Sequence, residues 1–180
     1  MKIGLGTFLT EELGDIGEVA RKAEEVGFES IWVPEHPVTP VVHSTKYPST
    51  GGAVPPNDTY IVNPFIALAR ASTTTTTIKL GTGVCLLPEH NPLNLAKEVA
   101  TLDFYSSGRF LFGIGGGWFK EQVEAMGGNF DRRWGQARES VLAMKEIWTN
   151  EEAEFHGEFY DFPPIHSYPK PVQKPNPPIF

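Results

Sequence analysis

Val33-Pro34-Glu35-His36 sets a carboxylate beside an imidazole, a combination able to hold or relay a proton near neutral pH. Such dipeptides are common, and a Glu and a His that satisfy loop backbone groups are the plainer alternative. Its place at the end of an apolar segment is what favours chemistry. A second stretch, Gly81-Thr82-Gly83-Val84, interrupts an apolar run with two glycines, marking either close approach by a ligand or a plain twist of the chain. The third, Gly113-Ile114-Gly115-Gly116-Gly117-Trp118, has three consecutive glycines, which suit a backbone that must come near a ring or a phosphate. It is not the dinucleotide-binding fingerprint, because Trp118 stands where the last glycine would fall. No metal site is expected: His43, His90 and His166 lie in loops, and no pair has the i, i+4 spacing of a helical site. Cys85 is expected to be a small buried residue rather than a nucleophile, Thr73 to Thr77 a helix-to-strand loop, and Trp134 and Trp148 core residues at helical positions.

The elements that must position these stretches alternate between short apolar strands and amphipathic helices. Residues 2–8 form the first predicted strand. Asp15 follows as an N-cap with Glu18 in capping-box position, and Ile16, Val19, Ala20, Ala23 and Val26 recur at helical spacing until Gly27 closes the helix. Phe28 to Val33 is the second strand. A long loop from 34 to 63 leads to Asn63-Pro64, an N-cap followed by proline, which opens a helix through Ala71. Ile78 to Val84 is the third strand, Asn91-Pro92 starts a helix that buries Leu95, Ala96, Val99 and Leu102, and Arg109 to Ile114 is the fourth strand. A helix from about Arg133 to Trp148, a small hairpin over 154–162 and a proline-rich link through Pro178 lead to a fifth strand. Four βα units and the start of a fifth make an α/β fold, the first half of a (β/α)8 barrel, with a doubly wound open sheet as the competing architecture. Both place chemistry at the carboxyl ends of strands, where all three stretches fall.

Composition bounds the function. Hydrophobic residues make up 40% of the 180 and charged residues 21%, an ordinary globular balance. Fifteen basic against 22 acidic residues give a net charge of −7, which argues against nucleic acid or an anionic membrane as partner. No apolar run approaches the roughly 20 residues of a spanning helix. A single cysteine fits a reducing compartment, so the cytoplasm is expected. The chain is read as one domain, 1–180, with loop 34–63 and hairpin 154–162 as insertions. Pro177-Pro178-Ile179-Phe180 resembles the opening of a buried strand, so truncation at this end is expected.

The chain resembles the luciferase-like oxidoreductases, which use a flavin or the deazaflavin F420. The likeness runs over nearly its whole length: Ser30-Ile31-Trp32-Val33-Pro34-Glu35-His36, Ile78 to Val84, Asn91 through Asp103, Ser107-Gly108-Arg109-Phe110, Gly113 to Trp118, and the link Pro169 to Pro175. It is most similar to the probable F420-dependent subgroup. That resemblance implies a barrel of close to twice this length, a homodimer, and hydride transfer between F420 and a small organic substrate. It assigns Glu35 and His36 to catalysis, and Thr82, Gly83, Val84, Gly115, Gly116, Gly117 and Trp118 to the cofactor. In relatives the bulge that falls on Gly83-Val84, often with a non-prolyl cis peptide, supports the ring from behind. Some F420 relatives carry a carboxylate where this chain has Trp118 and a hydroxyl where it has Leu86. An FMN-dependent monooxygenase using O2 is therefore the second reading, and a non-catalytic half-barrel remnant or cofactor-binding protein the third.

Overall fold

A computed structural model describes residues 2–8, 10, 14–55 and 60–180. In chain order the elements are β1 (Gly4–Gly6), α1 (Ile16–Glu25), β2 (Ser30–Val33), α2 (Pro64–Ser72), β3 (Lys79–Thr82), β4 (Cys85–Leu86) and, after a 3-10 turn over Leu87–Glu89, α3 (Pro92–Tyr105). Then come β5 (Phe110–Leu111), β6 (Ile114–Gly115), α4 (Lys120–Ala125), α5 (Arg133–Thr149), β7 (Ala153–His156) and β8 (Asp161–Ile165). The helices begin where the sequence predicts. Asp15 accepts from the Gly17 amide, Asn63 from Ile66 and Asn91 from Leu93, with proline in the first turn of the last two. The capping box at α1 does not close: Glu18 pairs with Arg21 at 2.6 Å, a charge-assisted partner one turn along. Gly27, at φ +88°, ends α1 as expected.

β1, β2, β3 and β5 form one parallel sheet in chain order. Ile31, Leu80 and Phe110 are register partners and fully buried, part of the core that α1, α2, α3 and α5 also build. Trp148 joins that core, whereas Trp134 is 65% exposed, so only one of the two tryptophans expected inside is there. On the alternate positions, Trp32 is the register partner of both Gly6 and Gly81. A Cβ on Gly81 would lie 2.3 Å from the Trp32 ring. Gly81 thus leaves room for the indole of the neighbouring strand.

The third and fourth strands are each split. Sheet pairing stops at Thr82, the Gly83–Val84 peptide is cis, and the chain resumes as β4, which pairs in parallel with β6. The two segments cross closely at Gly113, where a Cβ would sit 2.1 Å from the Thr82 carbonyl oxygen, and the Thr82 hydroxyl donates to Gly113 O at 2.7 Å. β7 and β8 form the antiparallel hairpin, one to three residues wider than predicted. Buried Asp103 on α3 accepts from the Gln173 backbone and side chain (2.9 and 2.7 Å), fastening the proline-rich link. The link delivers Ile179 to a parallel bridge with Phe112, where a fifth strand would start. The result is an α/β fold with a mostly parallel sheet. Among the described residues no helix is long and apolar enough to cross a membrane.

Candidate active site

β2 and β3 run parallel, so the segments that follow them emerge at the same edge of the sheet. There a cleft of about 190 Å³ opens between Pro34, His36, Tyr47, Val84, Leu86 and Trp118, with Glu35 and Gly83 also on its wall. Val84 presents its side chain outward, 39% exposed, the apolar group nearest the kink. Trp118 stacks on Phe119 (5.0 Å, 12°) and meets the edges of Tyr47 (5.4 Å) and His36 (5.9 Å). Tyr47 belongs to the long loop, which is pinned to α4 by Glu121: the Ser44 amide, the Ser44 hydroxyl and the Thr45 amide all donate to one of its oxygens. Those donors hold the Glu121 carboxyl down to about 2.

Glu35 and His36 are neighbours in sequence but their side chains take different partners. Glu35, 4% exposed, accepts from the Leu86 amide at 2.7 Å and from His90 Nε2 at 3.0 Å. Burial opposes charge on His90, but the hydrogen bond and charge of Glu35, with Glu98 and Glu89 behind it, more than offset this and raise the imidazole. Cys85 lies against the same carboxylate: its sulfur, a Glu35 oxygen and a His90 nitrogen are all within 4.8 Å of one another. Burial, then the charge of Glu35, push the thiol well above its ordinary value. With both Glu35 oxygens already accepting, the three groups make a hydrogen-bonded cluster that anchors β4.

His36 turns instead to α4. Its Nδ1 lies 2.9 Å from Gln122 Oε1, and the Gln122 amide nitrogen donates to both oxygens of Glu89 at 3.0 Å. Gln122 is fully buried and Glu89 5% exposed. Burial pushes the Glu89 carboxyl up to about 7; the Gln122 hydrogen bond and His90 oppose the shift, and Glu35 adds to it. An acid raised in the fold binds more protons folded than unfolded between its ordinary 4.5 and 7, so its ionisation lowers stability as the pH climbs through that window. The full cost is about 3 kcal/mol above pH 7. Glu89→Gln removes the titration, so its melting temperature relative to the native protein is expected to rise between pH 5 and pH 8 by several degrees. An unchanged difference across that range would show that Glu89 ionises normally.

Of the residues expected at the site, Glu35, His36, Gly83, Val84 and Trp118 meet at the cleft. Thr82 does not: it is fully buried with its hydroxyl committed to Gly113. The glycines stand behind the wall. A Cβ on Gly115 would press on Val84 at 2.8 Å, one on Gly116 on the Trp134 ring at 3.2 Å, and one on Gly117, at φ +79°, on Val123 at 2.7 Å. Of these three neighbours only Val84 lines the cleft, so Gly115 alone bears on it directly. Glu89, His90 and Gln122 were missed, though a signal was present: Pro34-Glu35-His36 recurs as Pro88-Glu89-His90. The two triplets cross in space, Glu35 directly to His90 and Glu89 through Gln122 to His36.

Comparison with known proteins identifies the family. The profile of the luciferase-like monooxygenase family matches residues 2–180. An uncharacterised protein of Mycobacterium tuberculosis is 41% identical over 175 residues, 96% of this chain and 62% of that protein. The oxygenase component of a flavin-dependent trigonelline monooxygenase from Acinetobacter baylyi is 33% identical, covering 91% of this chain and 41% of its own length. An F420-dependent glucose-6-phosphate dehydrogenase from Amycolatopsis mediterranei is 31% identical over 88% of this chain and 45% of its own. The crystal structure of monooxygenase RslO1 from Streptomyces bottropensis superposes with a TM-score of 0.77 at 28% identity, over 99% of this chain and 52% of that one. The chain thus spans about two fifths to three fifths of the length of these relatives.

Proposed function

The chain belongs to the luciferase-like monooxygenase family of flavin- or F420-dependent oxidoreductases and monooxygenases, and on that footing we propose that its full-length protein transfers a hydride between F420 and a small organic substrate. In this reading the described residues are the first half of a (β/α)8 barrel. The observation that carries the proposal is the cleft itself: an exposed apolar Val84 between aromatic walls, with an imidazole at its rim. Those residues fit a flat tricyclic ring better than a sugar or a phosphate, because Pro34, Val84, Leu86 and Trp118 make much of the lining apolar. Bound there, the reduced cofactor supplies the hydride.

The chain's own residues do the rest. Val84 and Leu86 form an apolar floor held in place by Glu35 at the Leu86 amide. Trp118 and Tyr47 cover the opening and exclude water. His36 takes up or releases the reaction's proton at Nε2, the ring nitrogen without a hydrogen bond among the described residues, as the hydride moves. The proposed role of Gly115 is to leave room for Val84, and that of Gly116 and Gly117 to let the segment before Trp118 pack on Trp134 and Val123.

The second reading, an FMN-dependent monooxygenase using O2, is favoured by Trp118 and Leu86, which replace the carboxylate and hydroxyl of some F420 relatives, and by the likeness to a flavin-dependent monooxygenase. Titration of the full-length protein with F420 and, separately, with FMN, followed by cofactor fluorescence, decides between them. Saturable binding of F420 alone supports the first reading. Preference for FMN, with oxygen uptake by the reduced complex, moves the assignment to the second, because deazaflavins react poorly with oxygen. Binding of neither removes both.

A further inference from the structure

We propose that Glu89, acting through Gln122, fixes the tautomer of His36, so that Nδ1 carries the ring proton and Nε2 is left as the acceptor facing the cleft. The inference rests on the reading of His36 as the proton-handling group, and it makes Glu89 and Gln122 positioning residues for that group.

A side-chain amide has one accepting and one donating end, and its orientation follows from what its neighbours can offer. Above about pH 7, where Glu89 is ionised, its carboxylate only accepts. Glu89 presents both oxygens to the Gln122 amide at 3.0 Å, so the NH2 end must face it. The carbonyl oxygen is then turned to His36, 2.9 Å from Nδ1, and can only accept there. Nδ1 therefore donates. In neutral imidazole the second nitrogen is left with a lone pair, and Nε2 has no partner among the described residues.

The arrangement is held on every side. Gln122 is fully buried on α4, so its amide has no water with which to exchange partners. Glu89 sits in the turn between β4 and α3, faced by Gln122 from α4, by Glu35 from the segment after β2 and by its neighbour His90. His90 is occupied by Glu35 and so does not compete for the Glu89 oxygens. A buried carboxylate with a buried amide as its hydrogen-bond donor has a steep cost and little packing value. Positioning a histidine accounts for what a hydrophobic pair of the same volume could not do.

The test reads nitrogen chemical shifts, which need neither cofactor nor turnover. In full-length protein labelled with 15N at histidine, a long-range 1H–15N correlation at pH 8.5 distinguishes a protonated, pyrrole-type nitrogen from a bare, pyridine-type one. His36 is assigned by the signals missing from His36→Ala. The expected result is a pyrrole-type Nδ1 and a pyridine-type Nε2 in the native protein. In Glu89→Gln, residue 89 can donate as well as accept, Gln122 loses its fixed orientation, and the Nδ1–H share should fall to about half or less. Gln122→Met removes the acceptor and should leave Nε2–H dominant, the form imidazole prefers in water. An Nε2–H ring in the native protein overturns the proposal even if neither variant folds. So does an unchanged Nδ1–H ring in both variants. Full activity in His36→Ala with the expected spectra would leave the relay standing and remove the proton role. The reverse pattern would remove the relay alone.

Discussion

Replacing His36 with alanine is expected to lower turnover of the full-length enzyme by about 10²- to 10⁴-fold while changing cofactor affinity little, as for loss of a positioned general acid–base group. That is about 3–5 kcal/mol of transition-state stabilisation. The reasoning follows from the geometry: His36 is the titratable side chain on the cleft wall whose second nitrogen is uncommitted, whereas both oxygens of its neighbour Glu35 are taken by Leu86 and His90. Stability should suffer modestly, by about 1–3 kcal/mol, because the buried Gln122 carbonyl loses its donor. Rapid-mixing kinetics of cofactor oxidation, beside fluorescence titration of cofactor binding, separate the two effects. Turnover within threefold of the native protein would take His36 out of the chemistry.

Glu35→Ala is expected to be the most damaging single change to the fold among the site residues, at about 3–5 kcal/mol. It strips the acceptor from the buried Leu86 amide, leaves His90 without its counter-charge and opens a gap beside Cys85. In a chain of this size each kcal/mol moves the melting temperature by about 2–4 °C, so a drop of roughly 10 °C is foreseen. The His90 part of the loss has a definite pH sense. A base raised in the fold contributes stability fully below its ordinary 6.5 and loses it as the pH rises through the higher folded value, so the deficit is largest in mild acid. Glu35→Gln keeps an oxygen for Leu86 and should recover a substantial part. A melting temperature for Glu35→Ala within 2 °C of the native value would mean that the carboxylate does not anchor β4.

The two effects explain why adjacent residues are not interchangeable. Glu35 acts inward, on the strand that carries Val84, and His36 acts toward the cleft. An equal loss of turnover in Glu35→Gln would be read through weaker cofactor binding, since the substitution disturbs the floor and leaves the imidazole in place.

Local patterns in the chain were sufficient for the helix starts and the order of the elements, though not for the split of the third and fourth strands. Asp15, Asn63 and Asn91 mark helix starts because a short polar side chain can satisfy the first free amides within three residues, and Gly27 marks an end because it tolerates a positive φ. The strand–helix alternation, the three strand ends and the likeness that pointed to a flavin or F420 enzyme are likewise short-range features of the sequence. Tertiary structure alone decided which of those residues meet. Glu35 reaches His90 across 55 residues and His36 reaches Gln122 across 86, and neither spacing follows from any helical or strand period. Those pairings exist because β2, β3 and β5 are successive neighbours in one parallel sheet, and parallel neighbours carry the segments after them to a common edge. The same sheet put Trp32 over Gly81, so that this glycine makes room for an indole. Periodicity and capping report on neighbours a few residues away; partners, burial and the direction of a carboxylate depend on which strands pair, and strand pairing is a property of the folded chain.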